Sequence, residues 1–264
     1  MTARLLVVGG GRMGTALVRG LCAAGWDPAG IVVAEVDDAR RDQLAAEVPG
    51  VVVDRAPRPA AGALLAVKPA AAEEAARALR GAGVPRWLSI MAGVPIASLE
   101  SWAGPGVAVV RAMPNTPALV GAGVAALAGG SAAGEADLAW AEELLGAVGE
   151  TVRVAEDDLD AVTGVSGSGP AYVFLLTEAL ADAGVSAGLA PAVAARLAAL
   201  TVAGAGRLLA DTGEEPAVLR AQVTSPGGTT EAALRVLEEA GLRTTVTAAV
   251  AAATTRSREL GGRS

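Results

Sequence analysis

The 264-residue sequence contains no histidine, one cysteine and one lysine, and only 2% of it is aromatic. Without histidine there is no imidazole to ligate a metal or to act as a general base near neutral pH, and no metal site is expected. A single cysteine, Cys22, excludes an intrachain disulfide. With so few aromatic rings, Ala, Val, Leu and Gly must fill the interior. Excess basic charge is also lacking: the net charge is −7. That balance argues against nucleic-acid binding and for a soluble protein handling a small molecule. Leu5–Val8 is too short for the apolar region of a secretory signal. The apolar run Leu197–Leu209 has Arg196 and Arg207 too close together for a membrane span. A cytoplasmic protein without membrane contact is expected. Its length allows one large core or two modest domains.

What is present begins with a short apolar run, Leu5-Leu6-Val7-Val8, of the buried-strand type. It enters Gly9-Gly10-Gly11-Arg12-Met13-Gly14, followed by helical spacing from Thr15 to Ala24 and a stop at Gly25. Strand, G-x-G-x-x-G, helix is the order of a dinucleotide-binding turn. Gly9 makes the turn, Gly11 lets the pyrophosphate approach, and Gly14 lets helix and strand pack closely. A second strand, Ile31 to Val36, carries Glu35, placed to hydrogen-bond the adenosine ribose. Glu35 favours NADH by repelling a 2′-phosphate, while Arg40 and Arg41 argue for NADPH. Asp37 and Asp38 read as the acidic start of the next helix.

Further strands are expected at Val51–Val53, Ala63–Val67, Trp87–Met91 and Val107–Arg111. Val67-Lys68-Pro69 closes one of these, and Ala92-Gly93 follows another, at strand ends where doubly wound sheets bind ligands. The run Ala112-Met113-Pro114-Asn115-Thr116-Pro117-Ala118 reads as a stiff loop, because its prolines remove ladder donors. Another strand at Gly121–Ala128, a helix at Glu135–Val148 and a strand at Thr151–Val154 complete an α/β domain, residues 1–158.

From Leu159 the strand-like runs stop, and residues 159–264 read as an all-α domain. Gly164–Tyr172 lacks a Gly-Lys-Ser/Thr phosphate motif and reads as a helix junction, with Pro170 in a first turn. Helices are expected at Tyr172–Ala183 and Pro191–Ala210. The second is apolar on nearly all sides, which suits burial against another subunit. The tail from Thr254 is polar and reads as frayed. Between these, Val223-Thr224-Ser225-Pro226-Gly227-Gly228-Thr229-Thr230 precedes an amphipathic helix, Glu231–Ala240, stopped by Gly241. Such a turn at a helix N-terminus is suited to an anion, although a Ser/Thr cap is the plainer reading.

Six segments in order resemble the pyrroline-5-carboxylate reductase family: Gly9–Gly14, Ala66–Pro69, Ala92–Gly93, Arg111–Ala118, Ser166–Tyr172 and Val223–Thr230. The resemblance implies reduction of a cyclic imine to proline by hydride from NADPH or NADH. It also implies an interlocked homodimer through the helical half, assembled in some members into a ring of dimers. Implied cofactor contacts are Gly9, Gly11, Arg12, Met13, Gly14, Glu35, Val67, Lys68, Pro69, Ala92, Gly93 and Asn115. The backbone N–H groups of Gly227, Gly228 and Thr229 would hold the substrate carboxylate. Ser225 would shape that loop, and Thr230 would orient the imine nitrogen. Departures stand at Glu214-Glu215-Pro216, where members often carry His-Pro, and at Ala221, where an acid is common. No match to the family's asparagine-bearing loop occurs within Asp54–Gly62. Two other functions stay open: a Rossmann-type reductase of another imine or a hydroxyacid, and a non-catalytic dinucleotide-sensing dimer. Hydroxyacid chemistry usually wants a helical lysine, and the only lysine here is Lys68.

Overall fold

The computed structural model describes residues 3–262. The chain divides into two compact units, residues 1–167 with 252–264, and residues 168–251.

The first unit is built on an eight-stranded sheet of order β3-β2-β1-β4-β5-β6-β7-β8. In chain order it comprises β1 (Leu5–Val8), α1 (Arg12–Ala23), β2 (Ile31–Ala34), α2 (Asp38–Glu47), β3 (Val52–Asp54) and β4 (Ala63–Leu65). There follow α3 (Ala72–Gly81), β5 (Arg86–Ser89), α4 (Ile96–Ala103), β6 (Ala108–Pro114), β7 (Gly123–Gly129), α5 (Glu135–Gly146), β8 (Gly149–Arg153) and α6 (Leu159–Val162). The first six strands are parallel, β7 is antiparallel to β6, and β8 is parallel to β7. Strand order reverses between β1 and β4, the point where such sheets open a crevice for ligands.

Period-2 alternation assigns the side chains of β1 to two cores. Leu5 and Val7 pack with Leu17 and Leu21 of α1, Leu44 of α2 and Leu144 of α5. Leu6 and Val8 pack with Ala76 and Leu79 of α3 and Leu99 of α4. Both faces of the strand are apolar because both are covered by helices.

Several expected boundaries move. The run expected as a loop from Ala112 is strand to Pro114, paired with Ala125 of β7. The expected strand Ala63–Val67 ends at Leu65, and Trp87–Met91 becomes Arg86–Ser89. A π-helical turn, Thr163–Gly167, follows α6, and a Cβ on Gly167 would stand 2.8 Å from Met113 Cε. The division between the compact units falls after Gly167, so α6 and this turn lie in the sheet unit.

The second unit contains α7 (Gly169–Ser186), α8 (Pro191–Thr212), α9 (Pro216–Gln222), α10 (Thr229–Glu239) and the start of α11 (Leu242–Leu260). Proline stands in the first turn of α7, α8 and α9, where its missing N–H is not needed. Of these helices' residues within 168–251, only Ala194 and Ala198 are buried. By length and composition alone, α8 would be long and apolar enough to cross a membrane, even with Arg196 and Arg207 inside it.

The described part of the tail, to Gly262, is not frayed. α11 continues to Leu260, and its last turns belong to the sheet unit. Thr254 and Ser257 are buried there, and Ser257 Oγ donates to Asp160 Oδ1 at 2.7 Å. Two of the polar residues that suggested fraying, Thr254 and Ser257, are thus packed inward.

Candidate functional site

The glycine turn after β1 has the geometry its spacing demands. Gly9 has φ +101°, a conformation L residues avoid, and a Cβ there would stand 2.8 Å from Ala66 O. A Cβ on Gly14 would overlap the carbonyl of Gly9, whereas nothing lies within 4 Å of the Cβ position at Gly11. The open space in front of Gly11 and the unbonded first-turn N–H groups of α1 suit a pyrophosphate. Arg12 is exposed beside them, while Met13 packs against the core.

Glu35 lies just past the end of β2. Its Oε2 accepts from Gly10 N at 2.8 Å and its Oε1 from Asp37 N at 3.0 Å, so it ties the second strand end to the glycine turn. Arg40 braces the turn from α2, donating from Nε to Gly10 O at 2.7 Å and from Nη2 to Thr15 Oγ1 at 2.8 Å. It also hydrogen-bonds Glu47 and holds that carboxyl below its ordinary range. Asp37 caps α2 through Arg40 N, so the acids at this helix start do what the sequence implied.

A cavity of about 370 Å³ opens at the carboxyl ends of β1, β2 and β4, lined among others by Gly9, Glu35, Val36, Val67, Arg55 and Pro57. Arg55 and its neighbours come from the Pro/Ala-rich segment for which no counterpart was found. A larger groove of about 730 Å³ runs along the outer side of α1, past Gly11, Arg12 and Arg40 to Leu119. Lys68 and Pro69 are exposed beyond β4.

Two expected cofactor contacts have structural work of their own. Asn115 is buried, and its Oδ1 accepts from Val124 N at 3.0 Å, fixing the start of β7. Gly93, with Ala92 exposed beside it, has its missing Cβ space bounded at 3.2 Å by the Leu260 backbone at the end of α11.

In the helical unit, Gly228 is the N-cap of α10, and Gly227 has φ +70°. Gly227 N donates to Glu231 Oε2 at 2.7 Å, and Gly228 N donates to Ser225 O at 3.0 Å. These two N–H groups, expected to face a carboxylate, are therefore spent on closing the turn. The first-turn N–H groups of Thr229, Thr230 and Glu231 have no acceptor within the helix by its geometry. They point along the positive end of its dipole. A Cβ on Gly228 would stand 2.6 Å from Ser225 Oγ, so that hydroxyl folds over the turn. Thr230 is half-buried and Thr229 exposed.

A doubly wound sheet with this glycine turn at its switch point defines the dinucleotide-binding class of α/β folds. Residues 4–93 match the family described as NADP oxidoreductase, coenzyme F420-dependent, and residues 156–260 match pyrroline-5-carboxylate reductase dimerisation. A pyrroline-5-carboxylate reductase of Synechocystis is 46% identical over 99% of this chain and 99% of its own. The structure of a pyrroline-5-carboxylate reductase from Coxiella burnetii superposes with a TM-score of 0.93 at 36% identity, covering 98% of this chain and 99% of that one. The Plasmodium falciparum enzyme, solved with NADP bound, gives 0.84 at 28% identity over 98% of both chains. This chain belongs to the pyrroline-5-carboxylate reductase family.

Proposed function

We propose that this chain reduces 1-pyrroline-5-carboxylate to L-proline with hydride from NADH or NADPH, the last step of proline biosynthesis. The observation that carries the reading is the Ser225–Thr230 turn, which presents helix N–H donors and hydroxyls in a chain that also holds a complete dinucleotide turn. When bound, the nicotinamide supplies the hydride that C5 of the imine accepts. Gly9, Gly11 and Gly14 admit the pyrophosphate, Arg12 and Met13 begin the helix that meets it, and Glu35 faces the ribose. Val67, Lys68, Pro69, Ala92, Gly93 and Asn115 belong to the strand ends bordering the rest of the cofactor.

In the helical unit the N–H groups of Thr229 and Thr230 hold the substrate carboxylate, with Gly227, Gly228 and Ser225 shaping the turn. Thr230 Oγ1 hydrogen-bonds the ring nitrogen. A threonine hydroxyl is a weak acid, so Thr230 orients the imine, and rate comes chiefly from positioning. No histidine or metal is required, since a protonated imine is already electrophilic.

The same reading makes residues 1–158 the dinucleotide-binding domain and residues 159–264 the dimerisation and substrate-binding domain of a cytoplasmic homodimer, with rings of dimers as a further assembly. Exposed Phe174, Leu175, Leu197 and Leu200 support burial of this surface by a second copy and not by lipid, because the family match over 156–260 is to a dimerisation region. Thermal unfolding tests the site. L-Proline should raise the melting temperature of the wild type, pyrrolidine should not, and Thr230→Ala should lose the proline shift while keeping the nucleotide shift. A chain stabilised by nucleotide but indifferent to proline would be a sensor or act on another substrate.

A further inference from the structure

The cavity beside Glu35 holds one positively charged side chain to which none of the contacts above gives a task. Arg55 follows β3 directly and lines that cavity together with Glu35, Val36 and Pro57. Its position is set from below. Asp54 Oδ1 accepts from Arg55 N at 2.7 Å, and Asp54 also pairs with Arg58. The backbone N–H of Arg55 is the main cause that holds the Asp54 carboxyl below its ordinary range, followed by the guanidinium of Arg58.

The side chain itself is loosely held. Arg55 Nη1 lies 3.6 Å from Asp38 Oδ1, beyond hydrogen-bond distance, and the side chain is 70% exposed. Asp38 already has a closer partner in Arg41, whose Nη1 also donates to the carbonyls of Glu35 at 2.8 Å and Val36 at 3.0 Å. Arg41 is therefore bound into the end of β2, while Arg55 stays available. Arg40 is equally committed, to Gly10, Thr15 and Glu47. Arg40, Arg41 and Arg58 each have a close partner, and only Arg55 among these four combines a place on the cavity wall with a weak internal tie.

Glu35 does not cancel this charge. Each of its carboxylate oxygens accepts a backbone N–H, from Gly10 and from Asp37, which partly offsets its repulsion of a neighbouring anion. Spare lone pairs leave it able to accept a ribose hydroxyl as well. Resting on the reading of this cavity as the adenosine end of a dinucleotide site, we propose that Arg55 recognises the 2′-phosphate and makes NADPH the preferred cofactor. Asp38 then serves as the resting partner that the phosphate replaces.

Isothermal titration with 2′,5′-ADP and with 5′-AMP isolates the interaction from catalysis. A charge-assisted contact of this kind is worth roughly a tenfold change in Kd. The wild type should bind 2′,5′-ADP about that much more tightly than 5′-AMP, and Arg55→Ala should erase the difference without weakening 5′-AMP. Asp38→Asn, which frees the guanidinium, should tighten 2′,5′-ADP alone. In turnover, Arg55→Ala should raise KM for NADPH by a larger factor than KM for NADH. Equal affinity of the wild type for the two nucleotides, or an unchanged ratio in Arg55→Ala, would overturn the assignment. Loss of imine turnover with both cofactors, with the nucleotide ratio intact, would instead overturn the reductase reading.

Discussion

In the sheet unit, β1, β4 and β5 bury every apolar side chain they carry, whereas in the helical unit Phe174, Leu175, Leu197 and Leu200 are each at least 52% exposed. The two halves share a composition rich in Ala, Val and Leu but dispose of it differently. The strands close their own cores, helices covering both faces, so the apolar surface is removed from water within one chain. The helices present apolar residues around most of their circumference and leave them uncovered. An uncovered surface of that extent is the mark of an interface, and it costs solubility unless a partner takes it. One unit closes its own core; the other leaves its apolar surface open within the chain.

The largest effect should come from placing charge on the unfinished surface. Leu200→Asp should convert a dimer of 25.8 kDa chains into monomers in sedimentation velocity, weakening association by about a thousandfold or more, since an unpaired buried carboxylate costs several kcal/mol. A wild type already monomeric at micromolar concentration would end the comparison. Next, Leu144→Ala in the sheet core should lower unfolding stability by about 2–5 kcal/mol in urea titration while leaving association intact. Ser257→Ala should cost about 1–3 kcal/mol, because it removes a donor from the buried Asp160 carboxylate, and should expose the tail to limited proteolysis. A tail that was frayed from the start would show neither change.

The smallest effect belongs to the sheet unit's surface. Arg153 chelates Glu142 and Glu135, and its hydrogen bonds hold both carboxyls below the ordinary value of 4.5. Depressed carboxylates stabilise the fold above their unfolded value, and the contribution is lost as pH falls through the folded one. The melting-temperature gap between wild type and Arg153→Ala should thus be full at neutral pH and close below about pH 4. It should also shrink in high salt, because the network is exposed.

Legibility followed locality. The glycine turn, the strands around it and the start of α10 were readable because each rests on spacing within a few residues. The antiparallel course of β7 was not, since strand direction depends on which partner lies beside it. Pro114 argued for a loop, yet it ends a strand, where one missing donor is tolerated. Asn115 was expected at the cofactor, and the bond of its Oδ1 to Val124 N is a pairing no sequence spacing announces. Arg55 escaped because its segment, rich in Pro and Ala, carries no periodicity. The tail was misjudged since Thr and Ser at 254 and 257 look solvent-facing until Asp160 is seen opposite Ser257.

The reductase reading is tested most directly by steady-state oxidation of NADH and NADPH with racemic pyrroline-5-carboxylate, comparing wild type with Thr230→Ala. The wild type should turn over. The variant should lose about a hundredfold in kcat, as for removal of one aligned hydrogen bond at a reacting centre, with nucleotide binding retained. No turnover by the wild type with either cofactor, or full turnover without the Thr230 hydroxyl, would contradict that reading.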